Sequence, residues 1–248
     1  MIEINSISKI FNKGEATAVK ALNSVSVNIN SNDFVVIVGS NGSGKSTLLN
    51  SIAGSFFVDE GKIIIDGTDV TKLQDFERTK WLSRVFQNPL QGTAPALSII
   101  DNFRLAALRT QSKNITIGTS KAFENKVKTS IARLGMGLEN KVAQPVGSLS
   151  GGQRQALTLL MSVMDESKIL LLDEPTAALD PKSAEIVMKT ASKLIKELNL
   201  TAIFVTHNLK EATSFGNRII QMNEGNIIKD LSKEVKEKLS VNDIFEWF

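Results

Sequence analysis

The chain of 248 residues contains no cysteine, no tyrosine, one histidine and five prolines. Without cysteine it cannot build the disulfide framework that small secreted domains use. Its apolar runs, such as Phe34–Val38 and Ile169–Leu172, fall far short of the roughly 20 residues of a membrane-spanning helix. Residues 1–12 also lack the basic flank and long apolar segment of a secretion signal. These absences predict a cytosolic protein that does not itself cross a bilayer.

The chain also lacks a large excess of positively or negatively charged residues. The 29 basic and 26 acidic residues give a net charge of +3 and are mixed along the chain. Nucleic-acid-binding proteins usually gather Lys and Arg into a stripe, so this pattern predicts solvated surfaces and no nucleic-acid partner. Hydrophobic residues make up 42% of the chain, enough to form the core of one large α/β domain or two small ones.

Four short apolar runs organise the chain, and each one ends at a polar or glycine-rich segment. Their residues are apolar at consecutive positions, which is typical of strands covered on both faces in a mainly parallel α/β sheet. Ligands of such sheets bind beyond the carboxyl ends of the strands. The sequence therefore predicts a functional site at one edge of the sheet. The runs are Phe34–Val38 before Gly39, Arg84–Phe86 before Gln87, Ile169–Leu172 before Asp173 and Glu174, and Ala202–Val205 before Thr206 and His207.

Helical spacing recurs between these runs. The segment Lys182–Leu198 carries an apolar stripe, with Asp180 as its predicted N-cap and Pro181 at the first helical position. Residues 88–119 are predicted as loops around one helix. Alternating apolar residues in Val25–Ile29 and Lys62–Asp66 predict antiparallel strands near the start of the chain. The other predicted helices are Ser46–Ala53, Gln153–Met164 and a segment that contains Phe123, Val127, Ile131 and Leu134.

The segment Gly39–Thr47 fits the phosphate-binding loop pattern and lies between an apolar strand and a helix, as that pattern requires. Its glycines allow successive backbone N–H groups to point at phosphate oxygens, and the following helix adds its positive N-terminal end. Lys45 then offers a charge to the β- and γ-phosphates. The Ser46 hydroxyl is placed to bind Mg²⁺.

Two carboxylates follow the third apolar run. Mg²⁺ keeps several waters and takes few protein ligands, so a single carboxylate from Asp173 is enough to hold the hydrated ion. Glu174 is the neighbouring residue and points in another direction, which suits a group that polarises an attacking water.

The segment Leu149–Gln153 predicts a second anion site, because Ser150 is a candidate N-cap and the paired glycines leave backbone N–H groups accessible. One nucleotide needs only one phosphate loop from a subunit. Two interpretations are therefore open at this point: a capped helix start, or a second site that serves the nucleotide of another copy.

Together these motifs, in this order and at these spacings, resemble the nucleotide-binding subunit of an ABC transporter over essentially the whole chain. The resemblance rests on the combined set of motifs rather than on any single one. The segments that carry it are Gly39–Ser46, Gln87, Leu149–Gln153, Ile169–Glu174, Ala178–Asp180 and His207.

The resemblance implies roles for individual residues. Phe11 corresponds to an adenine-stacking aromatic that is usually Tyr, and Phe retains the stacking face without the hydroxyl. Ser150 and Gly152 are expected to bind the γ-phosphate held by a facing subunit, and Asp180 belongs to the loop at that interface. The expected catalytic residues are Glu174, His207, Gln87 and Lys45, and the expected magnesium ligands are Ser46, Gln87 and Asp173. The expected ATP contacts are Phe11, Gly39, Ser40, Asn41, Gly42, Ser43, Gly44, Lys45, Ser46, Thr47, Ser150, Gly151, Gly152, Gln153 and Asp180.

The resemblance also implies an architecture and partners. It predicts one nucleotide-binding domain of the RecA-like P-loop NTPase class, with an N-terminal antiparallel β subdomain. Residues 1–86 and 162–248 form the core, and residues 87–161 form an inserted helical subdomain. The expected partners are a second ATP-binding subunit, a membrane permease on the cytoplasmic face of the cell membrane and, indirectly, an extracytoplasmic solute-binding protein.

Finer similarity points to a solute. The segments Gln87–Pro95, Gly152–Met161 and Val241–Phe245 are similar to ATPase subunits of bacterial uptake systems assigned to tryptophan and tyrosine. Two alternatives share the motifs: a soluble ATPase of the iron–sulfur assembly type, and a cassette that drives export or lipoprotein extraction. Co-purification with a multi-span membrane protein, or a solute-binding protein encoded alongside, separates import from these alternatives.

Overall fold

A computed structural model describes residues 1–108, 120–165 and 167–247. In chain order its strands are β1 (Ile2–Phe11), β2 (Val19–Ile29), β3 (Phe34–Val38), β4 (Glu60–Ile65), β5 (Thr68–Asp69), β6 (Leu82–Val85), β7 (Ile169–Asp173), β8 (Thr201–Val205), β9 (Arg218–Asn223) and β10 (Asn226–Leu231). Its helices are α1 (Lys45–Ala53), α2 (Asp75–Arg78), α3 (Ile99–Ala107), α4 (Lys121–Ala132), α5 (Gly151–Ser162), α6 (Pro181–Glu197), α7 (Leu209–Ser214), α8 (Lys233–Lys236) and α9 (Val241–Phe245).

The larger sheet has the strand order β10-β9-β3-β8-β7-β6. All of its strands except β10 run parallel to one another, as predicted for the consecutive apolar runs. Strand β6 begins earlier than predicted and ends at Val85, so Phe86 lies just beyond it. Its neighbour in the sheet order, β7, ends at Asp173. The predicted functional edge of the sheet is thus formed by the ends of four neighbouring strands, β3, β8, β7 and β6.

The smaller sheet has the order β2-β1-β4-β5 and is antiparallel, which confirms the predicted N-terminal β subdomain. On β2, Val25, Val27 and Ile29 are buried while Ser26 and Asn28 are exposed. This alternation gives the sheet one apolar face, which packs toward α1 and the larger sheet.

Strand β3 separates two hydrophobic cores. Val36 and Val38 belong to a core that includes residues of α3 to α6, whereas Val35 and Ile37 belong to a core shared with α1 and the smaller sheet. A strand with both faces covered needs apolar residues at every position, which explains the run Phe34–Val38.

The predicted helices form with small shifts at their ends. Helix α6 begins at Pro181, and its N-cap Asp180 accepts hydrogen bonds from the N–H groups of Lys182 and Ser183. Helix α5 begins at Gly151 and ends at Ser162, so both of its ends lie two residues earlier than in the predicted helix Gln153–Met164. In residues 88–119, α3 is the single α-helix of the described part, and residues 109–119 lie outside that part.

None of the helices in the described ranges combines the length and apolar character that crossing a membrane requires.

Candidate functional site

The phosphate loop lies between β3 and α1 and depends on glycine for its shape. Gly42 and Gly44 have φ of 81° and 100°, a left-handed conformation that other residues rarely adopt. A Cβ on Gly44 would lie 2.6 Å from the carbonyl oxygen of Ala21. Gly44 therefore has two reasons to lack a side chain, the backbone conformation and the close approach of β2.

Lys45, the first residue of α1, bends back over this loop. Its Nζ donates hydrogen bonds to the carbonyl oxygens of Gly39 at 2.7 Å and Ser40 at 2.9 Å. The residue is only 5% exposed. Burial lowers the pKa of Lys45, and the nearby Glu174 carboxylate opposes that shift. The ammonium group is thus fixed above the loop where a phosphate would approach.

Asp173 and Glu174 follow each other in sequence but contact different partners. Glu174 has a φ of 43°, and its N–H donates to the carbonyl of Val205 at 3.0 Å. A left-handed conformation at a non-glycine residue costs about 1–2 kcal/mol and is retained where its surroundings enforce it. Here the turn directs Glu174 toward the end of β8, while Asp173 pairs with Arg84 of β6 at 2.5 Å.

Two other predicted catalytic residues, His207 and Gln87, contact the Glu174 carboxylate. Its Oε2 lies 3.1 Å from His207 Nδ1 and accepts a hydrogen bond from Gln87 Nε2 at 3.4 Å. His207 follows β8 and Gln87 follows Phe86 beyond β6, on either side of β7 in the sheet. Because the three strands are parallel, residues far apart in sequence converge at one edge.

The segment Leu149–Gln153 is the start of α5 and has a complete capping box. The Gln153 N–H donates to Ser150 Oγ at 3.2 Å, and the Ser150 N–H donates to Gln153 Oε1 at 3.1 Å. No hydrogen bond or ion pair connects this segment to the phosphate loop within the described residues. The capped helix start expected from the sequence is therefore present, and the second role, binding the nucleotide of another copy, stays a prediction.

Gly152 is required by packing between helices. A Cβ at this position would lie 2.5 Å from the Cβ of Ser183 on α6, whereas a Cβ on Gly151 would meet nothing closer than Leu179 Cδ2 at 3.7 Å. Gly152 thus allows α5 to pack against α6, whereas a side chain at Gly151 would make only an ordinary van der Waals contact.

Asp180 and Phe11 are two further residues that the sequence predicts as ATP contacts. Asp180 is the N-cap of α6, and hydrogen bonds from the Ser183 hydroxyl and from backbone N–H groups hold its pKa below the ordinary value. Phe11 ends β1, is 36% exposed, and packs edge-on against Phe56 with a centroid distance of 5.3 Å. Lys9 Nζ also lies 5.6 Å from the centroid of the Phe11 ring, and the contact of Phe11 with adenine stays a prediction.

Two residues that contact the candidate site were not predicted from the sequence. Arg84 contacts Asp173, and its position inside an apolar run was a signal, because a charged residue in a buried strand needs a partner. Gln155 is fully buried on α5 and donates to the carbonyl of Phe86 at 2.9 Å, directly before Gln87. Its position as the fifth residue of α5 gave no comparable signal.

Comparison with known proteins agrees with this geometry. Residues 22–177 match the ABC transporter family. The chain is 38% identical to the tyrosine transport ATP-binding protein of Clostridioides difficile (strain R20291), with 100% of this chain and 98% of that protein covered. It is 32% identical to the phosphonates import ATP-binding protein PhnC of Lactococcus lactis subsp. lactis (strain IL1403), with 96% of each covered.

A solved structure with the same fold is a dimeric, post-hydrolysis ATP-binding cassette bound to ADP and phosphate. Its TM-score is 0.80 at 29% identity, with 94% of this chain and 99% of that chain covered. The family match spans more than half of the chain and includes the phosphate loop, the Leu149–Gln153 segment and both carboxylates. The chain therefore belongs to the ABC transporter family, as an ATP-hydrolysing cassette.

Proposed function

We propose that this chain is the motor subunit of an ABC importer for a small solute, and that it works as a dimer with a membrane permease. The observation that carries the proposal is the convergence of Lys45, Glu174, His207 and Gln87 at one sheet edge, while the capped start of α5 lies on a separate part of the same chain. Such an arrangement suits a nucleotide enclosed between two copies.

The phosphate loop binds ATP through its backbone N–H groups and Lys45. The Lys45 ammonium already has two carbonyl partners, so phosphate oxygens add to a group that is held in place. Buried Ser43 Oγ has no hydrogen-bond partner among the described residues, and it is a further donor within the loop. Phe11 offers its ring to the adenine.

The residues around the carboxylates fit a magnesium ion. The exposed Ser46 hydroxyl, the Asp173 carboxylate and the Gln87 side-chain carbonyl are oxygen donors of the kind Mg²⁺ prefers. When bound, Mg²⁺ supplies positive charge to the β- and γ-phosphate oxygens. Ser46 and Asp173 are the residues that hold it, and Gln87 joins them from the end of β6.

Glu174 accepts the proton of the attacking water, and His207 and Gln87 orient its carboxylate. Both neighbours reach the same oxygen, Oε2, which leaves Oε1 for the water. General-base catalysis of this kind contributes about 10²–10⁴-fold to a rate. His207 is 58% exposed, so it can also reach a γ-phosphate at the mouth of the site.

A second copy completes the site. The N-terminus of a twelve-residue helix, with its positive dipole end, attracts anions. In α5 this end is formed by Ser150, Gly151, Gly152 and Gln153. Asp180 lies at the turn that leads into α6, next to this segment through the contact of Gly152 with Ser183. Closure of two copies over ATP then depends on the γ-phosphate, and hydrolysis removes the contact that favours the closed dimer.

The permease is proposed to bind at a groove of about 360 Å³ on the helical part of the chain. Phe86, Gln91, Leu105, Thr158 and Met161 are among its lining residues, and Leu105 is half exposed. Phe86, which lines the groove, directly precedes Gln87 in the sequence. A partner bound in the groove can therefore shift Gln87, which contacts Glu174. A permease bound there would hold the protein on the inner face of the cell membrane, which is the location we propose.

An aromatic amino acid is the proposed solute, supported by the relative that carries tyrosine transport in its name. The test is to purify the chain with the multi-span membrane protein that binds it, reconstitute both in proteoliposomes with the cognate solute-binding protein, and measure ATP-dependent uptake of radiolabelled tyrosine. We expect that unlabelled tyrosine and tryptophan reduce this uptake by competition, and that the Glu174→Gln substitution abolishes it. Isolation of the chain without any membrane partner would instead favour the soluble iron–sulfur assembly class, and ATP-driven release of lipoprotein would favour extraction.

A further inference from the structure

Arg84 is a partly buried cation whose only acidic partner, within the described part of the chain, is Asp173. Its Nη2 lies 2.5 Å from Asp173 Oδ2, and the two side chains are 13% and 14% exposed. Asp173 in turn has no other cation within ion-pair distance among the described residues. Each of these two charges is therefore balanced by the other.

The remaining contacts of Arg84 fix the guanidinium without bringing another negative charge. Its Nη1 donates to Ser55 Oγ at 3.2 Å, and its Cζ lies 4.6 Å from the centroid of the Phe86 ring. Its Nε is buried without a hydrogen-bond partner among the described residues. The guanidinium is thus held between an aromatic face, a hydroxyl and one carboxylate, and all of its ionic interaction is directed at Asp173.

We propose that Arg84 is a positioning residue that pins Asp173 Oδ2 and neutralises the carboxylate, so that Asp173 binds free Mg²⁺ poorly and takes the ion only together with nucleotide phosphates. The inference rests on the proposed role of Asp173 as the magnesium carboxylate. An adjacent cation lowers the affinity of a carboxylate for a second cation, because the two positive charges repel each other. Pinning one oxygen also leaves only Oδ1 available.

The surrounding residues support this dependence on nucleotide. Within residues 1–108, 120–165 and 167–247 there is no group of three or more His, Asp or Glu side chains that could hold a metal ion. The other nearby carboxylate, Glu174, is engaged by His207 and Gln87. Negative charge to balance Mg²⁺ must therefore come from the phosphates, because Arg84 cancels the charge of Asp173.

The test measures Mn²⁺ binding as a probe for Mg²⁺, by the electron paramagnetic resonance signal of free Mn²⁺, in the full chain with and without ADP. The informative variants are Arg84→Met, which keeps the length and removes the charge, and Arg84→Lys, which keeps the charge. Without ADP we expect Arg84→Met to bind Mn²⁺ about tenfold more tightly than the wild type, which is the low end of the effect of one adjacent charge. Arg84→Lys should bind like the wild type. An unchanged or weakened affinity in Arg84→Met would overturn the proposal.

The variant Asp173→Asn tests the proposed role of Asp173 as the magnesium carboxylate separately from the proposed role of Arg84. If Asp173→Asn leaves Mn²⁺ binding with ADP unchanged, the assignment of Asp173 as the magnesium carboxylate is wrong. If it weakens that binding while Arg84→Met fails to tighten binding without ADP, only the role of Arg84 is wrong. Should Arg84→Met not fold, Arg84→Gln carries the same expectation, because it removes the charge and retains a hydrogen-bond donor.

Discussion

Glu174 is the residue on which the chemistry of this account depends. Its left-handed backbone and its two partners on Oε2 hold the carboxylate at the end of β7, apart from Asp173. Glu174→Gln retains the shape of the side chain but removes the proton acceptor. We therefore expect turnover to fall by at least about 100-fold while ATP binding is retained. The measurements are steady-state phosphate release and equilibrium binding of ATP.

The matched control is Glu237→Gln, which makes the same chemical change at an exposed residue after α8. Glu237 pairs with Lys233 at 3.7 Å and does not line the cavity that contains Glu174 and His207. Its turnover should equal that of the wild type. A Glu174→Gln variant that hydrolyses ATP at the wild-type rate would remove Glu174 from its assigned role.

Arg78 connects two secondary-structure elements, because it lies in α2 and contacts the C-terminal end of α1. The side chain is fully buried, and its guanidinium donates to the carbonyls of Ser51, Ile52 and Leu73. Burial lowers the pKa of Arg78 to about 10, so the group is still protonated at neutral pH. It satisfies carbonyls that α1 leaves without helical partners at its C-terminus.

Arg78→Met should lower the free energy of unfolding by about 3 kcal/mol, because several buried carbonyls lose their donor together. Urea denaturation measures the change. Arg133→Met is the control: Arg133 is half exposed and pairs with Glu197 at 3.2 Å, so its loss should cost at most about 1 kcal/mol. Equal losses in the two variants would show that Arg78 does not support α1.

The contact between α5 and α6 makes a second prediction at this scale. Gly152→Ala places a Cβ against the Cβ of Ser183 and should destabilise the chain by about 2 kcal/mol, the usual cost of overpacking. Thermal unfolding measures it. Gly151→Ala, whose Cβ would meet Leu179 Cδ2 only at an ordinary contact distance of 3.7 Å, should unfold at the wild-type temperature or above. Ser183→Gly added to Gly152→Ala should recover most of the loss, and no recovery would contradict the packing account.

The elements show where sequence reasoning succeeds and where it stops. The doubly covered strands β3, β7 and β8 could be predicted because burial on both faces demands apolar residues at every position. Strand β9 was not predicted, because the buried Gln221 interrupts its apolar run. The side chain of Gln221 is satisfied by the carbonyl of Trp247 at 2.8 Å, a contact that no local pattern reveals.

The same limit applies to the candidate site. Short motifs and resemblance indicated Lys45, Glu174, Gln87 and His207, and the parallel strand order explains why they meet. The pairing of Arg84 with Asp173 depends on the adjacency of β6 and β7, strands that are more than eighty residues apart.

At the scale of the whole molecule, the central claim is that ATP on the phosphate loop of one copy is enclosed by the α5 start of a second copy. The chain has no cysteine, so an engineered pair gives an unambiguous signal. Asn41 and Gly151 are both exposed, one on each of the surfaces that should face each other. In a Glu174→Gln background, which should hold the dimer closed, each can be replaced by cysteine.

The decisive measurement is disulfide formation in Asn41→Cys/Gly151→Cys/Glu174→Gln, with and without ATP, followed by non-reducing electrophoresis. The account predicts a covalent dimer that forms when ATP is added, is absent without nucleotide, and is lost in the two single-cysteine variants. A chain that stays monomeric with ATP, or that cross-links equally without it, would contradict the shared site.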